Sequence, residues 1–426
     1  MASGASSANR PIKLNMQRLL LTLMLAAPAL HASELAADRQ LTDSLRAISE
    51  ARMPEARNTL DLLTEQHPNF RLAQLIKGDM LLARVQALQT LGNPNGASSP
   101  ELELLRDEAR QRMRAVTDAH PHNKVPAYLL NLDNDYRHAL VVDASRSRLY
   151  VYENLAGQPL RVADFYVTIG KAGAGKQKEG DKRTPIGIYA ISSFKPSSEL
   201  GDFYGSGAFT LSYPNEWDTR QGRSGHGIWI HGSPSNTYSR APRASEGCVV
   251  LANEDLTRLG EYIETGKTPV IIAEQVEWIE QDVLNARRDD LTAAIDQWRQ
   301  DWESRDTSRL LSHYSASFHT GKQNLTAFAA NKHKVNADKS WIKVSLDNLS
   351  LMLYPQGTDP GSREALPTDN ALANIPTSNL EAERTDFALV SFVQRYQSNT
   401  LNDRTTKRQF WSRENGLWKI IHETSL

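Results

Sequence analysis

The chain has a single cysteine, Cys248, among its 426 residues, and a histidine upstream of it ends an apolar run. That run is Gly225-His226-Gly227-Ile228-Trp229-Ile230-His231-Gly232-Ser233. A polar loop follows, and then Ser245-Glu246-Gly247-Cys248-Val249-Val250-Leu251. Seventeen positions separate His231 from Cys248, enough for a strand end to meet a returning loop. A thiolate is the reactive form of cysteine in acyl transfer, and a free thiol is mostly protonated at neutral pH. A neighbouring histidine can take that proton and return it to a leaving amine, provided a third group fixes the ring. Glycine beside the nucleophile lets backbone N–H groups converge on a developing oxyanion, and Gly247-Cys248 supplies such a place. A free cysteine can also be a buried small hydrophobe. Its setting, after an arginine-rich loop and beside Ser-Glu-Gly, favours the reactive reading. His226 lies five positions before His231, which on a strand points it to the opposite face, so it reads as structural or as a more distant support.

These residues need strands to carry them. Ala139–Asp143 and Arg148–Tyr152 read as a hairpin around Ala144–Ser147. Further strands are expected at Val162–Ile169, Gly187–Ser192, Ile228–His231 and Pro269–Ala273. Together they make a mostly β domain over 136–275. Ahead of it, 33–135 reads as helical throughout. Leu41, Leu45 and Ile48 form one stripe and Ala56, Leu60 and Leu63 another, with a turn at Met53-Pro54, a helix hairpin of tetratricopeptide-like type without a convincing second copy. After it, 276–426 starts with a charged helix (about 280–304, carrying Leu291, Ile295, Trp298 and Trp302). Short helices near Thr307–Tyr314 follow, then strands at Trp341–Leu353, Thr385–Gln397, Lys407–Glu414 and Leu417–Glu423. Pro355–Glu383, rich in Pro, Ser, Asn and Asp, reads as an insertion in that sheet. The whole is a multidomain α+β chain.

Composition narrows the setting. Lys plus Arg is 49 and Asp plus Glu is 50, so nothing recommends nucleic acid or an anionic membrane as partner. Arg10, Lys13 and Arg18 precede an apolar run from Leu19 to Leu30, followed by His31-Ala32-Ser33. This pattern predicts an export signal over 1–32, and a periplasmic location with no stable membrane span. Export to an oxidising compartment makes a lone thiol informative, since no internal disulfide can form.

Gly170-Lys171-Ala172-Gly173-Ala174-Gly175-Lys176-Gln177 nearly spells a phosphate-binding loop. Gln177 stands where the motif needs Ser or Thr, and Gly180 and Pro185 prevent the helix that would face a phosphate. A glycine-rich hairpin beside the active site is the expectation instead.

The His-Gly…Ser-x-Gly-Cys arrangement, with Gly180-Asp181-Lys182-Arg183-Thr184-Pro185-x-Gly187-x-Tyr189 upstream, resembles the L,D-transpeptidase (YkuD-like) catalytic domain. The C-terminal pattern resembles the nuclear-transport-factor-2-like (NTF2-like) cone. The first resemblance implies Cys248 as nucleophile, His231 as base, and the Gly232 carbonyl as the group orienting His231. It also implies the Gly247 and Cys248 amides as part of the oxyanion hole, with Ser245 shaping the loop. The substrate implied is a peptidoglycan tetrapeptide stem; no metal and no organic cofactor are called for. Three functions stand open: transpeptidation to an amine, hydrolysis as an L,D-carboxypeptidase, and a non-catalytic wall-binding scaffold. The helical or NTF2-like region is a possible seat for a protein partner. Val250 stands where the family often has arginine, and Glu246 where many members have histidine. Arg243, Arg183 and, less directly, His226 are candidates for the substrate side.

Overall fold

The computed structural model describes Met1 and residues 37–92, 99–117, 124–355 and 386–426. The expected signal segment, the centre of the Gly92–Gly96 loop and the insertion from 356 onward lie outside these residues.

The helical region comprises α1 (Ala37–Ser49), α2 (Met53–Gln66), α3 (Arg71–Leu82) and α4 (Pro100–Thr117). Pro54 sits in the first turn of α2, where its missing N–H costs nothing. Leu41, Leu45, Leu60, Leu63, Phe70, Leu72 and Ile76 form the common core. The helical pattern expected to 135 does not continue that far. Lys124–Pro126 and Leu129–Asn131 are strands, the first paired with Trp278–Glu280 and the second with Ile342–Leu353. Their partners lie more than 150 positions away, so no local pattern could announce the pairing.

The central sheet has eight strands. In spatial order these are Val249–Val250, Trp229–His231, Gly207–Leu211, Gly187–Pro196, Pro269–Ala273, His138–Asp143, Arg148–Leu155 and Gln158–Tyr166. Two neighbouring pairs are parallel: Val249–Val250 on Trp229–His231, and Pro269–Ala273 on His138–Asp143. The run expected at Val162–Ile169 divides, its end forming a separate short strand, Ile169–Gly170, against Arg243–Ser245. Gly207–Leu211 is a strand that the sequence pattern did not announce. It is the direct neighbour of the histidine strand, with Ala208 opposite His231.

The C-terminal sheet has seven strands, closed at one edge by Leu129–Asn131 from the far end of the chain. The helix Gln281–Glu303 buries Leu284, Leu291, Ile295, Trp298 and Trp302. After the short helix Thr307–Ser312 comes a third, Leu325–Ala337, that the sequence pattern does not announce; it has little apolar periodicity and buries Phe328 and Asn336. Trp298 and Trp302 are core residues: Trp298 donates to Tyr314 Oη at 3.2 Å and packs against Phe392 and Trp411.

The regions are joined by buried contacts. Trp217, on the short helix Glu216–Arg220 of the central domain, packs on Phe387 and Phe410 of the C-terminal sheet. Asn215, which caps that helix, donates to Tyr354 Oη at 3.2 Å. One apolar cluster therefore runs from Val141 and Ile271 through Trp217 to Trp298 and Trp411. The helical region docks through both apolar and charged contacts, with Tyr238 and Ala252 of the central domain joining its core. Arg112 of α4 pairs with Glu108 at 2.9 Å and with Asp38 of α1, while Asp38 reaches Arg148 of the central sheet at 2.9 Å.

Candidate active site

The parallel register Val249↔Ile230 and Val250↔His231 fixes the site. Residues in register share a sheet face, and faces alternate along a strand. Cys248, one position before its strand, therefore falls on the face of Trp229 and His231. Strand rise and spacing put it on a diagonal about 8 Å from His231 between Cα atoms, within reach for the two side chains.

His231 is buried at 1% exposure, and its Nδ1 lies 2.7 Å from the carbonyl oxygen of Gly232. A carbonyl only accepts, so Nδ1 carries the proton and Nε2 is left as the acceptor. The turn after His231 has no room for a side chain. A Cβ on Gly232 would run into Asn253 Oδ1 and meet the Ser206 amide at 3.0 Å. Asn253 ties the turn in place, accepting from Ser206 N at 2.8 Å and donating to Ser233 O at 2.9 Å. Phe203 and Tyr204, at ring distances of 5.8 and 5.1 Å, wall the imidazole. In the sequence Phe203 and Tyr204 are signalled only by aromatic content in a glycine-flanked loop, and Asn253 carries no signal.

Cys248 Sγ donates to the carbonyl of Gly227 at 3.5 Å. Burial pushes its thiol above the usual value, opposed by the Trp229 amide and the cations Arg240 and Lys176. Burial holds His231 down at about 4; the Gly232 carbonyl works against this shift and Arg240 with it. These shifts favour a neutral thiol and a neutral imidazole, an arrangement that can pass a proton from sulfur to the ring.

The loop before Cys248 is stapled by Ser245. Its hydroxyl donates to Cys248 O at 2.6 Å and accepts from Gly247 N at 3.1 Å. The Gly247 amide is thereby tied to the Ser245 hydroxyl. The backbone itself requires glycine at this position. It has φ +129°, and a Cβ would approach Arg183 O to 2.8 Å.

The glycine-rich segment packs beside the site. Lys171 N donates to Ser245 O at 2.8 Å, and Thr184 Oγ1 bridges Gly170 N and Gly247 O. Lys176 is buried and paired with Asp181 at 2.9 Å. Burial would raise Asp181, but amides of Gln177, Lys178 and Arg183 together with Lys176 bring it to about 2.

The substrate-side candidates are placed apart. Arg183 is exposed and spends its guanidinium on Ala174 O at 2.8 Å, while Arg243 is exposed at the strand edge. His226 lies in the loop before the histidine strand, not on the strand, and is exposed with Glu179 3.8 Å away. Val250 is buried, and the exposed Glu246 pairs with Lys171 at 2.6 Å and Lys182 at 3.6 Å. Among the described residues there is no group of three or more metal-ligating side chains, and no helix is long and apolar enough to cross a membrane.

Residues 137–272 match the L,D-transpeptidase (YkuD) catalytic domain, and residues 290–362 and 370–424 match the Cds6 C-terminal NTF2-like domain. A search of curated proteins finds no match. Among solved structures, Bd1075 of Bdellovibrio bacteriovorus is similar at 26% identity and TM-score 0.58, over 71% of this chain and 98% of its own. The helical cell shape determining protein Pgp2 of Campylobacter jejuni is similar in fold at 22% identity and TM-score 0.53, over 74% of this chain and 99% of its own. The chain thus combines a helical region, an L,D-transpeptidase-type domain and an NTF2-like domain.

Proposed function

We propose that this L,D-transpeptidase-type protein is a cysteine acyltransferase acting on tetrapeptide stems of peptidoglycan. The observation that carries the reading is the imidazole of His231, held by the Gly232 carbonyl with Nε2 left open on the sheet face of Cys248. Cys248 Sγ attacks the carbonyl of the L-centre joined to the terminal D-alanine. Its proton passes to His231 Nε2 as the C–S bond forms. The protonated ring gives that proton to the leaving amine as the C–N bond breaks, releasing D-alanine and leaving a thioacyl-enzyme. An amine acceptor then forms a new C–N bond, the C–S bond breaks, and sulfur regains a proton. With the Gly247 amide taken up by Ser245, the Cys248 amide is the backbone donor left to the oxyanion. The chemistry calls for no metal and no organic cofactor.

Water as the acceptor would give a carboxypeptidase from the same intermediate. The architecture shared with a protein named for helical cell shape favours keeping this second reading, since trimming stems removes crosslink donors. The leader read over 1–32 supports export to the periplasm, where the substrate lies. The NTF2-like and helical regions are the proposed seats of any protein partner.

The test is a digest of disaccharide-tetrapeptide, read by mass spectrometry beside Cys248→Ala. Crosslinked dimers establish the transpeptidase, and tripeptide without dimers the hydrolase. No change in either sample, with no adduct between Cys248 and a carbapenem, would leave the scaffold reading.

A further inference from the structure

We propose that Arg240 binds the free C-terminal carboxylate of the residue that leaves, and so sets the requirement for an unblocked stem end. The proposal rests on the acyl-transfer reading above.

Arg240 belongs to the loop between the histidine strand and the cysteine loop. Its backbone is fixed: the carbonyl accepts from Tyr166 Oη and Thr168 Oγ1, both at 3.0 Å. Its side chain turns inward. Nη2 donates to the carbonyl of Ala244, within the cysteine loop, and the guanidinium lies 5.8 Å from the Phe203 ring. Phe203 also contacts His231, so arginine and histidine flank one aromatic ring. Nη1 is buried and has no hydrogen-bond partner among the described residues. A guanidinium N–H left unpaired in a half-buried site is costly unless something arrives to accept from it. The charge is felt at both reacting groups, favouring the thiolate of Cys248 and opposing the imidazolium of His231.

The chemistry names the acceptor. His231 must meet the leaving nitrogen in order to protonate it. In an amino-acid leaving group the carboxylate is only two bonds from that nitrogen. A cation that shares the Phe203 ring with His231 is therefore placed for this carboxylate rather than for groups deeper in the stem. Arginine suits it, since a planar fork matches a carboxylate. Arg240 thus takes the substrate-side part for which the buried, apolar Val250 offers no charge.

The loop itself is held from the helical region. Ser239 donates to Glu108 of α4 at 2.6 Å, Tyr238 stacks on Phe70 at 4.4 Å, and Asn69 bonds the backbone at Ser235 and Tyr238. The helical region in this way supports a substrate contact that it does not itself make.

The experiment compares a tetrapeptide ending in free D-alanine with the same peptide ending in D-alanine amide. Binding is measured by calorimetry on the Cys248→Ala protein, with and without Arg240→Gln or Arg240→Lys. KM and kcat are measured on the active protein with the same Arg240 variants. The acid should bind about 10–100-fold more tightly than the amide, the range for a hydrogen bond to a charged group. Arg240→Gln should bring that ratio close to one, acting mainly on KM, and Arg240→Lys should restore part of it. Equal binding of acid and amide, no binding of either, or a ratio unmoved by Arg240→Gln would overturn the proposal. Discrimination in binding without turnover by the active protein would instead sink the acyl-transfer reading and leave Arg240 as a carboxylate site.

Discussion

Ser239, eight residues after the candidate base, donates its hydroxyl proton to the buried carboxylate of Glu108 in α4, at 2.6 Å. The bond joins a helical region at one end of the chain to the loop between His231 and Cys248. Burial raises Glu108 above the usual carboxylate range, and Arg112 and Ser239 oppose that shift. Glu108→Ala would leave Arg112 without one of its partners in a buried site. Arg112 keeps Asp38, so the expected cost is about 1.5–3 kcal/mol in urea unfolding. Ser239→Ala should cost only about 1 kcal/mol and raise KM for the stem peptide with little change in kcat.

The neutral resting pair has a kinetic signature. With the thiol pushed up by burial and His231 held at about 4, Cys248 should not behave as a preformed thiolate at neutral pH. Alkylation by iodoacetamide is expected to climb steadily from pH 6 to 9. A rate already level at pH 6 would mean a thiolate–imidazolium pair instead.

Gly232→Ala tests the orientation of the base. The added methyl would press on Asn253 Oδ1 and the Ser206 amide, so the turn must shift and the His231–Gly232 contact with it. Stability should fall by about 1–3 kcal/mol, and turnover by roughly a hundredfold or more. Full activity in a variant of lowered melting temperature would show that this contact does not orient the base.

Two buried groups give opposite pH dependences. His231 titrates near 4 in the folded chain and near 6.5 when unfolded, so between these values the unfolded state binds more protons. Its contribution is fully present above 6.5 and is lost as pH falls toward 4. Relative to His231→Gln, the native chain should lose about 2–3 kcal/mol between pH 7 and pH 4.5.

Asp255 behaves in the other sense. Burial first, and the nearby Asp38 second, raise it to about 7. Its protonated form is favoured on folding, so its contribution is present below the unfolded value near 4 and is lost as pH rises through 7. Asp255→Asn should therefore gain stability relative to the native chain from pH 5 to pH 8. Urea midpoints across that range measure the crossing.

Much of the site is legible in the order of residues alone. One cysteine beside Ser-x-Gly, and a strand ending in His-Gly, suffice to name Cys248, His231 and Gly232. These are short-range patterns in which type and neighbour carry the chemistry. The hairpin at 138–155, the strand at 269–273 and the helix at 281–303 are equally open, because period and turn residues are local signals. The strands at 124–131 and 207–211 are not, since their partners lie far along the chain or their runs are short.

By itself the sequence nominated Cys248 and His231 as candidate reacting groups, set the order of the domains and argued against a phosphate loop at Gly170–Gln177. Only the tertiary structure separates the three arginines of this region. Arg183, Arg240 and Arg243 are equivalent as letters. Burial against Phe203, a backbone pinned by Tyr166 and Thr168, and a loop clamped by α4 make Arg240 different from the other two. Charge placement depends on which elements pack together, and that packing draws on residues from Asn69 to Cys248 that no local window contains.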